Sequence, residues 1–301
     1  MWQVILMYAL FGSIFAVGKV AVMASQPFFF TSIRMLLAGV LLMLYLATKG
    51  IKSLTIPRKC WPLIILVAFF NVFITNAFEF WGLQYMTAGK TCLIYSLSPF
   101  AAALIAYWFG TEKMSKGKWI GLIIGLASFI PLMIGPWLEF GSVDKMEIFA
   151  EAALIVSAVT AVMGWTFVKK LTIEHRLAHP LVNGMSFLLA GIFSLLASIF
   201  LEEWNLLPVS SWNDFGWTLL YVVLIHNIIC YSIYAASLKR FSVTFMAFIG
   251  LSNPFFAGLF GWVFLGEEIS CSFLLAFMGV LSGLYLFYRE ENLKSSSIVS
   301  Y

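Results

Sequence analysis

Four charged side chains interrupt the first four long apolar runs of the sequence: Lys19, Arg34, Glu79 and Lys90. A charge near the middle of a membrane helix costs roughly 2.5–3.5 kcal/mol on insertion scales. Four of them, all toward the outer third of their runs, therefore predict a mutually facing group. Glu79 is the only acid among them, so the pattern predicts at least one cation left over to meet the carboxylate or another anionic part of a substrate. Lys19, Arg34 and Lys90 are candidate anion contacts, and Glu79 is a candidate counter-charge or proton site; Lys19 and Arg34 could instead snorkel to the outer interface. Two prolines add exposed backbone to this inventory. Pro99 follows Tyr95, Ser96 and Ser98, and Pro254 follows Ser252 and Asn253; each removes a helix donor and crowds the carbonyl four residues earlier. Opened backbone at membrane depth is tolerated where it faces protein or a water-filled cavity. Tyr95, Ser98 and Asn253 are thus candidate substrate contacts, with a packed kink as the plainer alternative. His226, next to Asn227, could titrate near neutral pH or serve as a buried structural histidine. Trp165 offers either a ring for stacking or an interfacial anchor.

The sequence carries no signature of catalysis or of nucleotide-driven work. Ala88-Gly89-Lys90-Thr91 has the tail of a phosphate-binding loop, but Gln84 stands where its first glycine is required. There is no H-E-x-x-H, and His175 with His179 is too small a set for a metal site. Neither paired intramembrane carboxylates nor a serine–histidine–acid set is apparent. A non-enzyme with no metal and no cofactor is the expectation, although a membrane-embedded enzyme acting on lipid remains the rival from another class. The four cysteines, Cys60, Cys92, Cys230 and Cys271, have no paired spacing and read as buried free thiols.

The elements that must position these residues follow from composition. Hydrophobic residues make up 62% of the chain and charged ones 11%, with a mean hydropathy of +0.96, which excludes an ordinary soluble domain. Apolar runs cover about 4–23, 28–48, 61–82, 88–109, 117–136, 150–168, 181–201, 216–236, 242–265 and 270–288. The expected fold class is all-α: ten transmembrane helices joined by short loops in a lipid bilayer. With the N-terminus inside, fourteen of the 18 basic residues fall on the cytoplasmic side and only Lys145 falls in an outer loop. Acids such as Glu147, Glu151, Glu202 and Glu267 gather in the outer loops. A multi-pass protein of the inner membrane with both termini cytoplasmic is implied. The positive net charge is spread over loops, so nucleic acid is not an expected partner.

Internal repetition refines this picture. A shift of 155 residues lays Leu83–Ser115 on Leu238–Ser270 without a gap, matching Pro99 with Pro254, Phe109 with Phe264 and Glu112 with Glu267. Lys113, Lys116 and Lys118 become Glu268, Cys271 and Phe273, so one copy is basic where the other is not. Five spans per half is an odd number, so the halves run in opposite senses: a 5+5 inverted repeat with helix breaks at Pro99 and Pro254, as in many secondary transporters. A first repeat over 1–136, an outer linker over 137–149, a second repeat over 150–288 and a cytoplasmic tail over 289–301 are expected. A fainter echo matches Phe15 with Trp165 and Lys19 with Lys169. Glu112 and Glu267 are expected to cap or pair at helix ends. Gly121/Gly125 and Gly279/Gly283 have the G-x-x-x-G spacing of packing or homodimer faces.

The stretch Leu83–Gly121, with Leu-Ser-Pro-Phe at 97–100 and Gly110-Thr111-Glu112, resembles the EamA module of the drug/metabolite transporter superfamily. Ser252-Asn253-Pro254 and Leu265-Gly266-Glu267 resemble its partner module. The resemblance covers about 3–288 and implies a central cavity and alternating-access transport of a small polar metabolite. Gly12-Ser13-Ile14-Phe15, Lys19 and Arg34-Met35-Leu36-Leu37-Ala38-Gly39 are similar to the S-adenosylmethionine carriers of obligate intracellular bacteria. That similarity implies S-adenosylmethionine as cargo, in exchange for S-adenosylhomocysteine. An amino-acid or other metabolite exporter would use the same features.

Overall fold

The computed structural model describes residues 2–50, 54–108, 115–128, 130, 144–204, 206–241 and 243–298. Among these residues all regular structure is helical, apart from one isolated bridge between Ser25 and Val209. Among the described residues seven helices are long and apolar enough to cross a membrane. Helix α1 runs Trp2–Ala24 and α2 Pro27–Ala47. Three consecutive segments, Trp61–Leu66, Val67–Ile74 and Thr75–Tyr85, form α3. Two pieces, Ala88–Tyr95 and Ser98–Trp108, form α4. Next come α5 (Lys116–Ala127), α6 (Lys145–Ile173) and α7 (His179–Leu201). Trp212–Tyr221, Val222–Cys230 and Tyr231–Ser237 make α8. Val243–Ile249, the 3₁₀ turn Gly250–Ser252, Asn253–Phe260 and Gly261–Leu265 make α9, and Cys271–Ile298 is α10. The part of the expected linker up to 143, and Glu112 and Lys113, lie outside the described residues.

Both proline sites open their helices where the sequence predicts. In α4 the helical run stops at Tyr95 and resumes at Ser98, and in α9 it tightens over Gly250–Ser252 before resuming at Asn253. Three further irregularities among the described residues carry no proline. Val67–Ile74 in α3, Val222–Cys230 in α8 and Gly261–Leu265 in α9 are π-helical, a geometry that inserts a residue into the turn and is frequent at functional sites.

Glycines let the helices approach. Added Cβ atoms at Gly39 and Gly191 would meet Leu188 and Leu36 at under 3.0 Å across the α2–α7 contact. The two G-x-x-x-G faces are occupied within the chain, since a Cβ on Gly283 would lie 2.6 Å from the Gly121 carbonyl oxygen and from the Gly125 nitrogen. These faces serve α5–α10 packing. Large apolar side chains left exposed, such as Leu44, Phe200 and Trp262, suit a surface facing lipid.

Helix ends on one side are closed by side chains from elsewhere in the chain. Glu267 accepts from the backbone N–H of Ala88 (2.8 Å) and Gly89 (3.3 Å), and Glu202 from those of Phe28 (2.6 Å) and Phe29 (2.9 Å). Carboxylates suit helix N-termini because the first amides lack partners there and the helix dipole is positive. Glu267 therefore does cap a helix, as its sequence position suggests. Gly266 makes this possible by taking φ +66° directly after the last turn of α9, a conformation glycine adopts at no steric cost. Among the cysteines, Cys60, Cys92 and Cys230 are buried and free. Cys271 corrects the expectation of burial: it opens α10 and is exposed.

Candidate functional site

The site forms where α3, α8 and the opened turns of α4 and α9 meet α1 and α6. They surround a cavity with about 750 Å³ of space not filled by atoms, open solvent at its mouth included. Glu79 and Thr75 enter from α3, Tyr95, Ser96 and Ser98 from the opened turn of α4, and Gly250 and Asn253 from that of α9. Tyr8, Phe11 and Phe15 come from α1, Trp165 from α6, and His226, Tyr231 and Tyr234 from α8. Six of the residues singled out in the sequence, Glu79, Tyr95, Ser98, Trp165, His226 and Asn253, therefore share one wall system.

Aromatic rings dominate that wall. Trp165 stacks on Tyr234 with centroids 3.9 Å apart and leans on Tyr231 at 5.1 Å. Phe11 meets His226 edge-on at 5.2 Å, and Phe15 lies 6.3 Å from Tyr95. Trp165 is only 7% exposed, so it belongs to the cavity rather than to an interfacial belt. Sequence reading passed over Tyr8, Phe11, Tyr231 and Tyr234, and noted Phe15 only as an echo of Trp165. Their spacing held a usable signal: Tyr8, Phe11 and Phe15 at i, i+3 and i+7, and Tyr231 with Tyr234 at i and i+3, each fall on one helix face.

The four intramembrane charges do not form one bonded group: Lys19 and Lys90 are tied to other partners, while Arg34 and Glu79 remain electrostatic neighbours. Lys19 donates to the carbonyl oxygens of Leu83 (2.6 Å), Met86 (2.8 Å) and Gln84 (3.4 Å). It thereby closes the C-terminus of α3, where the carbonyls lack partners and the helix dipole favours a cation. Lys90 pairs at 2.6 Å with both Glu147 and Glu151. Glu147 and Glu151 lie four residues apart on one face of α6 and not in a loop, so Lys90 is neutralised within the protein.

Arg34 is fully buried behind the cavity wall. Its Nη1 donates to Nδ1 of His226 at 3.0 Å and its Nη2 to Oδ1 of Asn76 at 2.8 Å, while the guanidinium lies 4.2 Å from the Phe80 ring centre. A guanidinium can only donate, so Nδ1 of His226 accepts and its ring proton sits on Nε2. Asn76 in turn donates to the Val72 carbonyl at 2.8 Å and to the Tyr231 hydroxyl at 3.1 Å, which leaves the Tyr231 proton free to donate elsewhere. Arg34 thus orients two cavity residues, His226 directly and Tyr231 through Asn76.

Glu79 is the exception. It is 5% exposed and lines the cavity, yet among the described residues its carboxylate makes no hydrogen bond and neither described ion pair includes it; Arg34 is its electrostatic neighbour without a direct bond. The Oδ1 of Asn253 is also buried there without a partner among the described residues. A carboxylate without a partner beside electron-rich ring faces is an arrangement that attracts a cation carrying a flat or apolar body.

The family model described as the EamA-like transporter family matches this chain twice, over residues 1–134 and 148–289. The S-adenosylmethionine/S-adenosylhomocysteine transporter of Chlamydia muridarum (strain MoPn / Nigg) is 35% identical over 289 residues, covering 94% of this chain and 89% of that protein. The transporter of the same name from Chlamydia trachomatis serovar L2 is 36% identical, with 94% and 86% covered. The uncharacterized transporter YoaV of Bacillus subtilis (strain 168) is 23% identical over 89% of each chain. A solved crystal structure superposes with a TM-score of 0.66 at 17% identity, covering 95% of this chain and 93% of that one, a likeness of fold alone.

Proposed function

The chain belongs to the EamA-like transporter family, and from that premise we propose that it carries S-adenosylmethionine across the inner membrane in exchange for S-adenosylhomocysteine. The observation that carries this reading is the Glu79 carboxylate, without a partner in a cavity walled by Trp165, Tyr231, Tyr234, Phe11 and Phe15. S-adenosylmethionine presents a sulfonium, an ammonium, a carboxylate and an adenine ring. Glu79 supplies the counter-charge for a cationic centre, and the rings suit both a sulfonium and a stacked purine. The Tyr231 hydroxyl, the Nε2–H of His226, Ser98 and the opened turns at Tyr95 and Asn253 offer polar contacts for the remaining groups. Arg34 acts as a positioning residue behind them, and Lys19 and Lys90 hold helix ends and helix pairs together away from the cargo.

The proposed architecture is ten spans in a 5+5 inverted repeat, with repeats over 1–136 and 150–288 and both termini cytoplasmic. Several features support it. The π-helical stretches of α3 and α8 begin at Val67 and Val222, and the interrupted helices α4 and α9 resume at Ser98 and Asn253; both pairs are separated by the 155 residues of the sequence repeat. Packing partners also exchange consistently when each helix is replaced by the one five places on: α2 packs on α7, α5 on α10 and α4 on α9, and the α1–α8 contact has its counterpart in α6–α3. Rocking of the halves about such an axis would expose the cavity alternately.

Uptake of labelled S-adenosylmethionine into cells expressing the chain, with and without internal S-adenosylhomocysteine, tests the reading. Saturable uptake that internal S-adenosylhomocysteine accelerates is the expected result. No uptake above empty cells, with the protein present in the membrane, would remove this cargo, and amino-acid efflux would be measured next.

A further inference from the structure

S-adenosylmethionine carries a net charge of +1 and S-adenosylhomocysteine none, so their one-for-one exchange moves a charge unless something compensates. Glu79 has the geometry for compensation. Arg34 from α2 is its electrostatic cation neighbour. That guanidinium is engaged by two neutral acceptors, Asn76 and His226, and forms no ion pair with Glu79 among the described residues. Cys92 and Tyr95 of α4 and Tyr231 of α8 line the same cavity as the carboxylate. Lys19 of α1 is turned to the end of α3, and Glu147 and Glu151 of α6 are tied to Lys90. Glu79 is thus the cavity's own acid, with no fixed cation bonded to it.

We infer that Glu79 is ionised when S-adenosylmethionine occupies the cavity and protonated when S-adenosylhomocysteine does, so that the exchange is electroneutral and one proton leaves with each S-adenosylhomocysteine. The inference rests on the cargo reading above. Its balance is complete: S-adenosylmethionine⁺ moves inward while neutral S-adenosylhomocysteine and H⁺ move outward. The occupied cavity then has the same charge in both half-cycles, with carboxylate against sulfonium in one and carboxylic acid against thioether in the other. A buried carboxylate facing a neutral ligand is costly to keep ionised, and one facing a sulfonium is not. The swap therefore also gives the carrier a means of accepting two cargoes that differ by a single methyl cation.

Full-length protein in liposomes loaded with S-adenosylhomocysteine and a lumenal pH dye, with potential set by potassium and valinomycin, provides the test. External S-adenosylmethionine is expected to enter at the same rate with and without an inside-negative potential and to make the lumen more alkaline. Liposomes loaded with S-adenosylmethionine instead should exchange without a pH change. In Glu79→Gln, fixed in the neutral form, S-adenosylmethionine entry is expected to fall roughly tenfold or more, homoexchange of S-adenosylhomocysteine to fall less, and the residual mixed exchange to become potential-driven without proton movement. Wild-type exchange that an inside-negative potential accelerates, with no lumenal pH change, overturns the inference even if the variant does not fold. Absence of any exchange between the two compounds overturns the cargo reading and this inference with it.

Discussion

Helices α3 and α8 contain the same backbone device and use it for different chemistry. Their π-helical stretches start at Val67 and Val222, so the 155-residue shift sets Asn71 against His226, Asn76 against Tyr231 and Glu79 against Tyr234. In α3 these positions bond and charge: Asn71 donates to the Ala161 carbonyl at 3.1 Å, Asn76 links Arg34 to Tyr231, and Glu79 faces the cavity. In α8 they supply rings, with Tyr231 and Tyr234 against Trp165 and His226 against Phe11. The two deformed stretches are offset by the same 155 residues as the internal similarity of the sequence, and their different side chains make the cavity asymmetric. An asymmetric cavity can orient a ligand with a charged centre at one end and a flat ring at the other; two identical halves could not.

The sharpest way to break that contrast is to exchange its poles. Glu79→Ala should cut S-adenosylmethionine uptake by about 100-fold, because a charge contact in a dry site is lost, with protein in the membrane unchanged. Its counterpart Tyr234→Phe keeps the ring on Trp165 and should stay within about threefold of wild type, the size of one neutral hydrogen bond. Equal losses in the two uptake assays would dissolve the distinction. Arg34→Lys comes next. It keeps the charge, but one ammonium cannot serve Asn76 and His226 from a planar fork while lying over Phe80, and uptake should fall about tenfold. Trp165→Ala removes the 3.9 Å stack and should weaken apparent affinity by about threefold to tenfold, with Trp165→Phe restoring part of it. The smallest effect is expected at Lys19. Lys19→Met should lower thermal stability by about 1 kcal/mol through the lost helix-end contact while leaving the half-saturating S-adenosylmethionine concentration unchanged. A large shift in that concentration would return Lys19 to the cargo.

Much of the cavity was legible in the sequence, because opened helices announce themselves through local chemistry. Pro99 and Pro254 mark the breaks in α4 and α9 whatever surrounds them, and the polar residues beside them line the site. The π-helical stretches of α3 and α8 had no such marker. Val67–Ile74 and Val222–Cys230 contain neither proline nor glycine, and the extra residue in their turns is sustained by packing against neighbouring helices. The charges were misjudged for a related reason. Depth along a helix can be counted from sequence, whereas azimuth about the bundle cannot, so Lys19, Arg34, Glu79 and Lys90 at similar depth read as one group. In the folded chain they point to the end of α3, to His226 and Asn76, to the cavity and to α6.

What the sequence by itself determined was the solvent, the all-helical class, the 155-residue offset of its internal similarity and the sites of proline-opened backbone. Each of these follows from hydropathy, from period or from the local stereochemistry of one residue type. The tertiary structure alone decided which charge remains without a partner. Lys90 is neutralised by two acids 57 and 61 residues away in sequence, and Arg34 is held by partners 42 and 192 residues away. Pairing at such separations is set by how helices pack, and that packing leaves Glu79 facing the cavity.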